Sequence, residues 1–575
     1  MACLDARYKG HGANPTEGAM QSKHTLLGLL QACTSLKQAQ QTHCQMITKN
    51  LASETILLNK LLSFCAISDD GCLDYACTIF SRTDQPSVLM WNVMIRGHSL
   101  YNKPEQTLFF FKGMQQAGLS PNNYTYPFLL KSCALLSETK HGEGIHGHAV
   151  KSGFELDIFV SSALLHLYAS SERMESAELL FVKMPIRNVV SWTTMIAGYA
   201  HCGKGADAIR VFKEMQVNNI HPNHVTLVSV LAACALTGDL EMGRFIHGYV
   251  RRSGMQTVTA LETALLDMYA KCGRLDVSRE LFNEMPDKNV ISWNAIIGAY
   301  NQARQHKEAV RLFYRMRLHN IKPDKVTFSG ILTACAHLGD GGLGQAIHAY
   351  VTKSNFNTCG ALGTALIDMY SKLGDTDSAV QIFHSISHKD AFTWTAMIAG
   401  LAMHGQGKGA LDLFEEMLRE GVHPDEVTYM AVLSACSHAG LIQKGCEYFD
   451  CMTTLHRIQP TEEHYGCLAD LLSRAGLLEE AERLVESIPV KPNVAIYTAL
   501  LSGCRIYRNA DLAQRITKKI VELKPERAGV HVLLSNVYAR EGRWQGVKLA
   551  RKVMKEKRIK KYPGWSSIIR DADRL

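Results

Sequence analysis

The chain contains no run of 18 or more apolar residues, so no segment is built to cross a membrane as a helix. Cys-x-x-Cys is missing as well. A base-deaminating zinc centre holds its metal on a His and two Cys and uses a Glu to move the proton. Only the His-x-Glu half occurs, at His141/Glu143 and His306/Glu308, and both pairs read as solvated helix starts. No phosphate loop, Ser/His/Asp signature or dinucleotide-binding glycine pattern is present. The expectation is a chain with no catalytic centre, metal, cofactor or small-molecule substrate. Charge of one sign is scarce too. Residues 494–575 carry 19 Lys/Arg against 7 Asp/Glu, but residues 1–493 carry 43 against 47. Over those 493 residues, phosphate attraction alone cannot drive nucleic-acid binding. The 17 cysteines are odd in number and several recur at fixed intervals, which fits small buried apolar residues in a reducing compartment better than disulfides.

What the chain has instead is a period. Trp91, Trp192, Trp293 and Trp394 each lie 101 residues after the last, and Cys133, Cys234, Cys335 and Cys436 keep the same step. So do Met114, Met215, Met316 and Met417, and Pro121, Pro222, Pro323 and Pro424. A single globular core has no reason to repeat in register, so the chain is an array of similar units. Each unit divides into pieces of 35, 35 and 31 residues, as in 189–223, 224–258 and 259–289. In the first piece Trp192, Ile196 and Tyr199 fall at helical spacing and Gly203 breaks the helix. A second helix carries Ala208, Ile209, Phe212 and Met215 on its apolar face and ends before His221-Pro222-Asn223, where proline blocks continuation. Hairpins of this size cannot bury their faces alone, and stacking them gives a continuous core. The predicted fold is therefore all-α, a right-handed superhelical α-solenoid of helix-turn-helix repeats. His146, His247 and His348 recur at the same step and read as packing histidines.

The 35-residue pieces close with Ser120-Pro121-Asn122, His221-Pro222-Asn223, Lys322-Pro323-Asp324 and His423-Pro424-Asp425. The 31-residue pieces close with Met184-Pro185-Ile186-Arg187-Asn188 and Met285-Pro286-Asp287-Lys288-Asn289. These resemble the P and S motifs of plant pentatricopeptide repeat proteins, and Leu231-Ala232-Ala233-Cys234-Ala235 followed by Ile246-His247-Gly248 resembles an L motif. Near the end, Ala499-Leu500-Leu501-Ser502-Gly503-Cys504-Arg505 looks like a first E motif, and Leu533-Leu534-Ser535-Asn536-Val537-Tyr538 with Gly542-Arg543-Trp544 like a second. Pro563-Gly564-Trp565-Ser566-Ser567-Ile568-Ile569 resembles the box that follows them. The chain thus resembles the PLS subfamily, E-type, without the DYW deaminase domain. The expected organisation is a disordered or weak targeting segment over 1–21, about fourteen repeats over 22–493, the first E motif over 494–527, and the second with a truncated Pro-Gly box over 528–575.

The resemblance implies that the chain binds single-stranded RNA and recognises sites of C-to-U editing in organellar transcripts. A DYW-type deaminase would act in trans, and multiple organellar editing factors would be further partners. It implies a mitochondrial location, with the chloroplast as the alternative. The N-terminus, with Arg7 and Lys9 beside Asp5 and Glu17, does not choose between them. RNA stabilisation, splicing or translation control by occupancy, and protein scaffolding of tetratricopeptide type, are the competing functions.

In the family the fifth and last residues of a P or S repeat face one base, and elementary hydrogen bonding says why the choice matters. An ionised Asp only accepts, which suits the ring N–H of G and U, whereas Asn and Ser donate to the ring nitrogens of A and C. A short hydroxyl at the fifth position leaves room for a purine, and a longer Asn reaches a pyrimidine. On that scheme Asn59 with Ser87 reads C, and Asn92 with Asn122 a pyrimidine, C over U. Ser162 with Asn188, Thr193 with Asn223 and Thr263 with Asn289 read A; Asn294 with Asp324 reads U; Thr364 with Asp390 and Thr395 with Asp425 read G. The L repeats, with Pro127, Val228, Ser329 and Met430 in the fifth place, are unassigned. The expected ligand is C-Y-N-A-A-N-A-U-N-G-G, read 5′ to 3′. Leu89, Val190, Ile291 and Phe392, second in their repeats, are expected to flank the bases as apolar wedges. The plain alternative for the paired residues is helix capping and turn formation. The basic run Lys548, Arg551, Lys552, Lys555, Lys557, Arg558, Lys560 and Lys561 is expected either to touch RNA phosphates or to dock an acidic partner, against the alternative of a solvated helix face.

Overall fold

A computed structural model of the chain describes residues 17–255, 258–354, 356, 358–489, 492–523 and 528–556. Lys557, Arg558, Lys560 and Lys561, the Pro-Gly box and most of the 1–21 segment lie outside them. Among the described residues every regular element is a helix, from Glu17–Ala32 to Trp544–Glu556, thirty-two in all. They divide into two compact units, Met1–Asp287 and Lys288–Leu575. Each is an α-solenoid of paired helices. In each, the first helices of successive hairpins pack on one another, and each second helix leans on its own first helix and on that of the next hairpin. The result is a layer of first helices backed by a layer of second helices.

One hairpin shows how the residues dictate this. The helix Val189–His201 begins where the Asn188 side chain accepts the Ser191 N–H at 3.0 Å. It ends at Gly203, whose φ of 72° is the left-handed conformation glycine adopts without strain. Trp192, Ile196 and Tyr199 are buried along its inner face, and Ala208, Ile209, Phe212 and Met215 answer from the helix Gly205–Val217. That second helix stops at Val217, four residues before His221-Pro222, so proline is not its terminator. Asn219 takes φ 57° and turns the chain there; Asn320 repeats this at 57° and Gly421 at 73°. Proline serves the following turn.

The period marks the seams of the core. Phe181 stands edge-on to Trp192 at 4.8 Å, and Phe80–Trp91 and Phe383–Trp394 repeat the pair at 4.7 and 4.9 Å. Such pairs contribute about 0.5–1.5 kcal/mol beyond the area they bury. Ala208, Ala309 and Ala410 are wholly buried where helices approach closely, and so are Cys133, Cys234, Cys335 and Cys436. These four cysteines are free thiols. The periodic histidines hydrogen-bond across hairpins: His146 Nδ1 meets the Tyr168 hydroxyl at 2.7 Å, and His247 and His348 meet Tyr269 and Tyr370 at 3.0 Å each. Burial pushes all three imidazoles below their ordinary pKa.

A His whose folded pKa is depressed favours folding above its unfolded pKa, and that stabilisation fades as pH falls. The urea midpoint should therefore drop between about pH 7 and about pH 5, and replacing His146, His247 and His348 by Gln should flatten the drop. An identical pH profile in the triple variant would contradict this. Ala410→Leu should lower stability by about 1–3 kcal/mol through overpacking, read in the same titration.

Candidate nucleic-acid interface

Asn188, Asn223, Asn289, Asp324, Asp390 and Asp425, each the last residue of its piece, are the N-caps of the hairpins that follow, so there the cap and the proposed base contact use one side chain. Asn223 Oδ1 accepts the Thr226 N–H at 2.9 Å and the Thr226 hydroxyl at 2.9 Å. Asp425 Oδ1 does the same with Thr428 at 2.8 and 2.8 Å, and Asp324 Oδ1 with Thr327 at 2.9 and 2.9 Å. Asp390 Oδ1 accepts from Thr393, and Asn188 and Asn289 accept the N–H of Ser191 and Ser292 at 3.0 Å. Asn122 differs: its Oδ1 accepts the Tyr124 N–H at 3.1 Å, and the N-cap of the next helix is Thr125. The alternative of helix capping is thus realised at the other six positions. It also fixes the chemistry left over, because the cap needs an acceptor and takes Oδ1. An Asn then offers its amide nitrogen, a donor, and an Asp offers its second oxygen, an acceptor.

The fifth residue stands one turn into the preceding first helix and reaches the same seam. Asn92 Nδ2 donates to Asn122 Oδ1 at 3.0 Å and Asn294 Nδ2 to Asp324 Oδ1 at 2.9 Å. Thr193 Oγ1 lies 2.6 Å from Thr226 Oγ1, Thr395 Oγ1 2.7 Å from Thr428 Oγ1, and Thr364 Oγ1 3.2 Å from Thr393 Oγ1. Ser87 donates to Asn59 Oδ1 at 3.5 Å. Two fifth residues turn away: Ser162 donates to the Ile158 carbonyl at 2.6 Å and Thr263 to that of Thr259 at 2.7 Å. Thr263 belongs to the unit ending at Asp287, and Asn289 to the other. In the L repeats Ser329 likewise donates to its own helix, at the Lys325 carbonyl.

Leu89, Val190, Ile291 and Phe392 are 54%, 56%, 62% and 70% exposed, so they do not serve the core. The same second position carries exposed apolar side chains that the sequence reading passed over: Ile56 and Phe159, and, in L repeats, Tyr124, Val225, Val326 and Val427. Their signal in the sequence is an apolar residue two places after each repeat end, in S and L repeats as well as P repeats. Ile56, Asn59 and Leu89 together line a cavity of about 330 Å³. There a fifth residue and two successive second residues share one cavity.

Lys548, Arg551, Lys552 and Lys555 lie along one exposed face of the helix Trp544–Glu556, while Val547 and Ala550 are buried opposite. Glu143 is ion-paired with Arg173, Glu308 with Arg311, and His306 stacks on His337 at 4.5 Å. No group of three or more potential metal ligands gathers among the described residues.

Burial works against the charge of Asp324, but donation from the Thr327 N–H, the Asn294 amide, the Thr327 hydroxyl and the Val326 N–H outweighs it and holds the carboxyl below its ordinary pKa. A depressed folded pKa adds stability above the unfolded value, lost as pH falls through the folded one. Carbon-detected NMR should find Asp324 titrating below about 3.9, and Thr327→Val should raise its midpoint. A wild-type midpoint at or above that value would contradict the hydrogen-bond assignment.

Comparison with known proteins places this architecture. Residues 86–134, 187–235, 288–337 and 389–438 match the PPR repeat family, and 159–189, 263–290, 364–390, 427–455 and 463–491 match the PPR repeat. Residues 507–569 match the E motif. A pentatricopeptide repeat-containing protein of Arabidopsis thaliana is 42% identical over 561 residues, covering 96% of this chain and 99% of its own. A mitochondrial one from the same plant is 38% identical over 94% and 85% of the two chains, and a chloroplastic one 39% over 95% and 78%. The crystal structure of the pentatricopeptide repeat protein PPR10 in complex with an 18-nt psaJ RNA element shares the fold, with a TM-score of 0.57 at 16% identity over 94% of this chain and 84% of that one. With its alternating repeats of 35, 35 and 31 residues and the E motif behind them, the chain belongs to the pentatricopeptide repeat family, PLS type.

Proposed function

We propose that this chain is a sequence-specific single-stranded RNA-binding protein that selects sites for organellar C-to-U editing and draws its deaminase from a partner. The observation that carries the reading is the seam. At Thr193/Asn223, Asn294/Asp324 and Thr395/Asp425 an N-cap residue with one committed and one remaining polar atom has a fifth residue beside it, and the second residues Val190, Val225, Ile291, Val326, Phe392 and Val427 are exposed. Stacking between those residues supplies attraction that the near-neutral first 493 residues do not supply by charge. The PPR10 structure holds RNA on the same fold, and relatives carry mitochondrial and chloroplastic names, which supports an organellar transcript as ligand. The mitochondrion is the proposed location, with the chloroplast as the alternative.

In this reading Asn223 gives its amide proton to adenine N1, and Asp324 and Asp425 accept the ring N–H of uracil and guanine. The pairs then select C-Y-N-A-A-N-A-U-N-G-G. The E motif and the face of Lys548, Arg551, Lys552 and Lys555, together with Lys557, Arg558, Lys560 and Lys561 next in the sequence, dock the DYW-type deaminase or hold phosphates beside the edited base. Multiple organellar editing factors are further partners. The chain itself supplies no catalytic group.

Exchanging Thr193 for Asn together with Asn223 for Asp should change the preferred base from A to U at the fifth nucleotide alone, by about tenfold each way in a gel-shift series. An unchanged preference, or a change spread over several nucleotides, would overturn the base assignment. Incubated alone with the target, the chain should bind and yield no uridine; uridine should appear when a DYW-type deaminase is added. Editing by the chain alone would refute the division of labour.

A further inference from the structure

Thr226 stands third in its repeat and is wholly buried, out of contact with solvent. Its hydroxyl nevertheless joins both members of the pair before it. It accepts the Asn223 N–H at 3.3 Å, donates to Asn223 Oδ1 at 2.9 Å and lies 2.6 Å from Thr193 Oγ1. A threonine hydroxyl has one proton and two lone pairs. The carbonyl oxygen of Asn223 cannot donate, so the Thr226 proton goes there, and the short contact to Thr193 must be made by the proton of Thr193. That holds Thr193 Oγ1 toward the seam with its lone pairs outward. Thr428 repeats the arrangement with Asp425 and Thr395, at 3.2, 2.8 and 2.7 Å.

The same hydroxyl sets amides where the fifth residue is Asn. Thr125 shares its one proton between Asn92 Oδ1 at 2.6 Å and Asn122 Oδ1 at 3.1 Å, and Thr327 between Asn294 Oδ1 at 2.6 Å and Asp324 Oδ1 at 2.9 Å, while each fifth-residue amide nitrogen donates to the cap oxygen. Where the third residue is Ser191, its hydroxyl donates instead to the Asn188 carbonyl at 2.9 Å, and Ser162 turns back into its own helix. Thr364, ahead of Thr393, stands between the two cases, 3.2 Å from Thr393 Oγ1 and 3.2 Å from its own Gly360 carbonyl. At the other seams the orientation of the fifth residue follows the third residue of the next repeat.

We propose that these buried threonines, Thr226 above all, are positioning residues for base selection: each aims the fifth side chain of the preceding repeat and so sets purine against pyrimidine. The inference rests on the base-reading function proposed above. Adenine and cytosine present the same pattern, a ring-nitrogen acceptor beside an exocyclic amine, and differ in where the amine lies. Telling them apart depends on where Thr193 Oγ1 is held. Telling adenine from guanine depends on Asn223, whose cap to the backbone N–H of residue 226 does not need the Thr226 hydroxyl.

The test uses the full chain and four 11-nucleotide RNAs that differ only at the fifth base. Thr226→Val should lower the preference for A over C from about tenfold to about twofold while leaving A over G intact. Thr226→Ser should restore it. Undiminished A-over-C preference in Thr226→Val overturns the proposal, and so does a parallel fall of both preferences, which would mark a merely structural role. Asn223→Asp is the control for the underlying reading. It should convert A to G; if it does not, base reading at this seam fails, and the role of Thr226 fails with it.

Discussion

The structure depends on one hydrogen bond repeated along the chain: the side-chain oxygen that closes a repeat accepts the backbone N–H three residues on. It satisfies a donor that the start of the next helix would otherwise leave unpaired, at a gain of about 1 kcal/mol per cap. It also decides which atom of the capping residue is spent. At Asn223 the oxygen is committed, and at Asp425 one oxygen of two. Capping and base selection are thus not rival accounts of these residues, since the first prepares the second.

Stacking places that seam. The first helices form one layer in each unit, so the second, fifth and last positions recur at fixed intervals on a common edge. The core behind it is made of contacts that repeat, the Phe–Trp pairs, the His–Tyr hydrogen bonds and the buried alanines, and each hairpin is stabilised mainly by its neighbours. An array of this kind changes its ligand by exchanging side chains at a seam without disturbing the core, because Asn223 is exposed while Thr226 beneath it is buried. The near neutrality of the first 493 residues fits that division: attraction comes from apolar wedges and specificity from paired polar atoms.

Much of this was legible in the sequence because the period exposes what repeats. Tryptophans 101 residues apart located the hairpins, and Gly203 the break within one of them. The end of the second helix before His221 was legible but its cause was misassigned to Pro222, because the left-handed turn at Asn219 leaves no mark as strong as proline. The exposed ladder through Tyr124, Phe159 and Val225 was only partly read, since its members share apolar character and not identity. Thr226 was invisible, because a buried threonine at the start of a helix looks like any other until its three hydrogen bonds are seen together. The division at Asp287 also had no compositional signal.

The most direct measurement is selection from a fully randomised RNA pool, with the retained molecules sequenced. The account predicts a consensus in which positions facing P and S repeats are fixed as C-Y-N-A-A-N-A-U-N-G-G, and those facing Pro127, Val228 and Ser329 stay unconstrained. A pool retained without positional preference, or constrained equally beneath the L repeats, would contradict it.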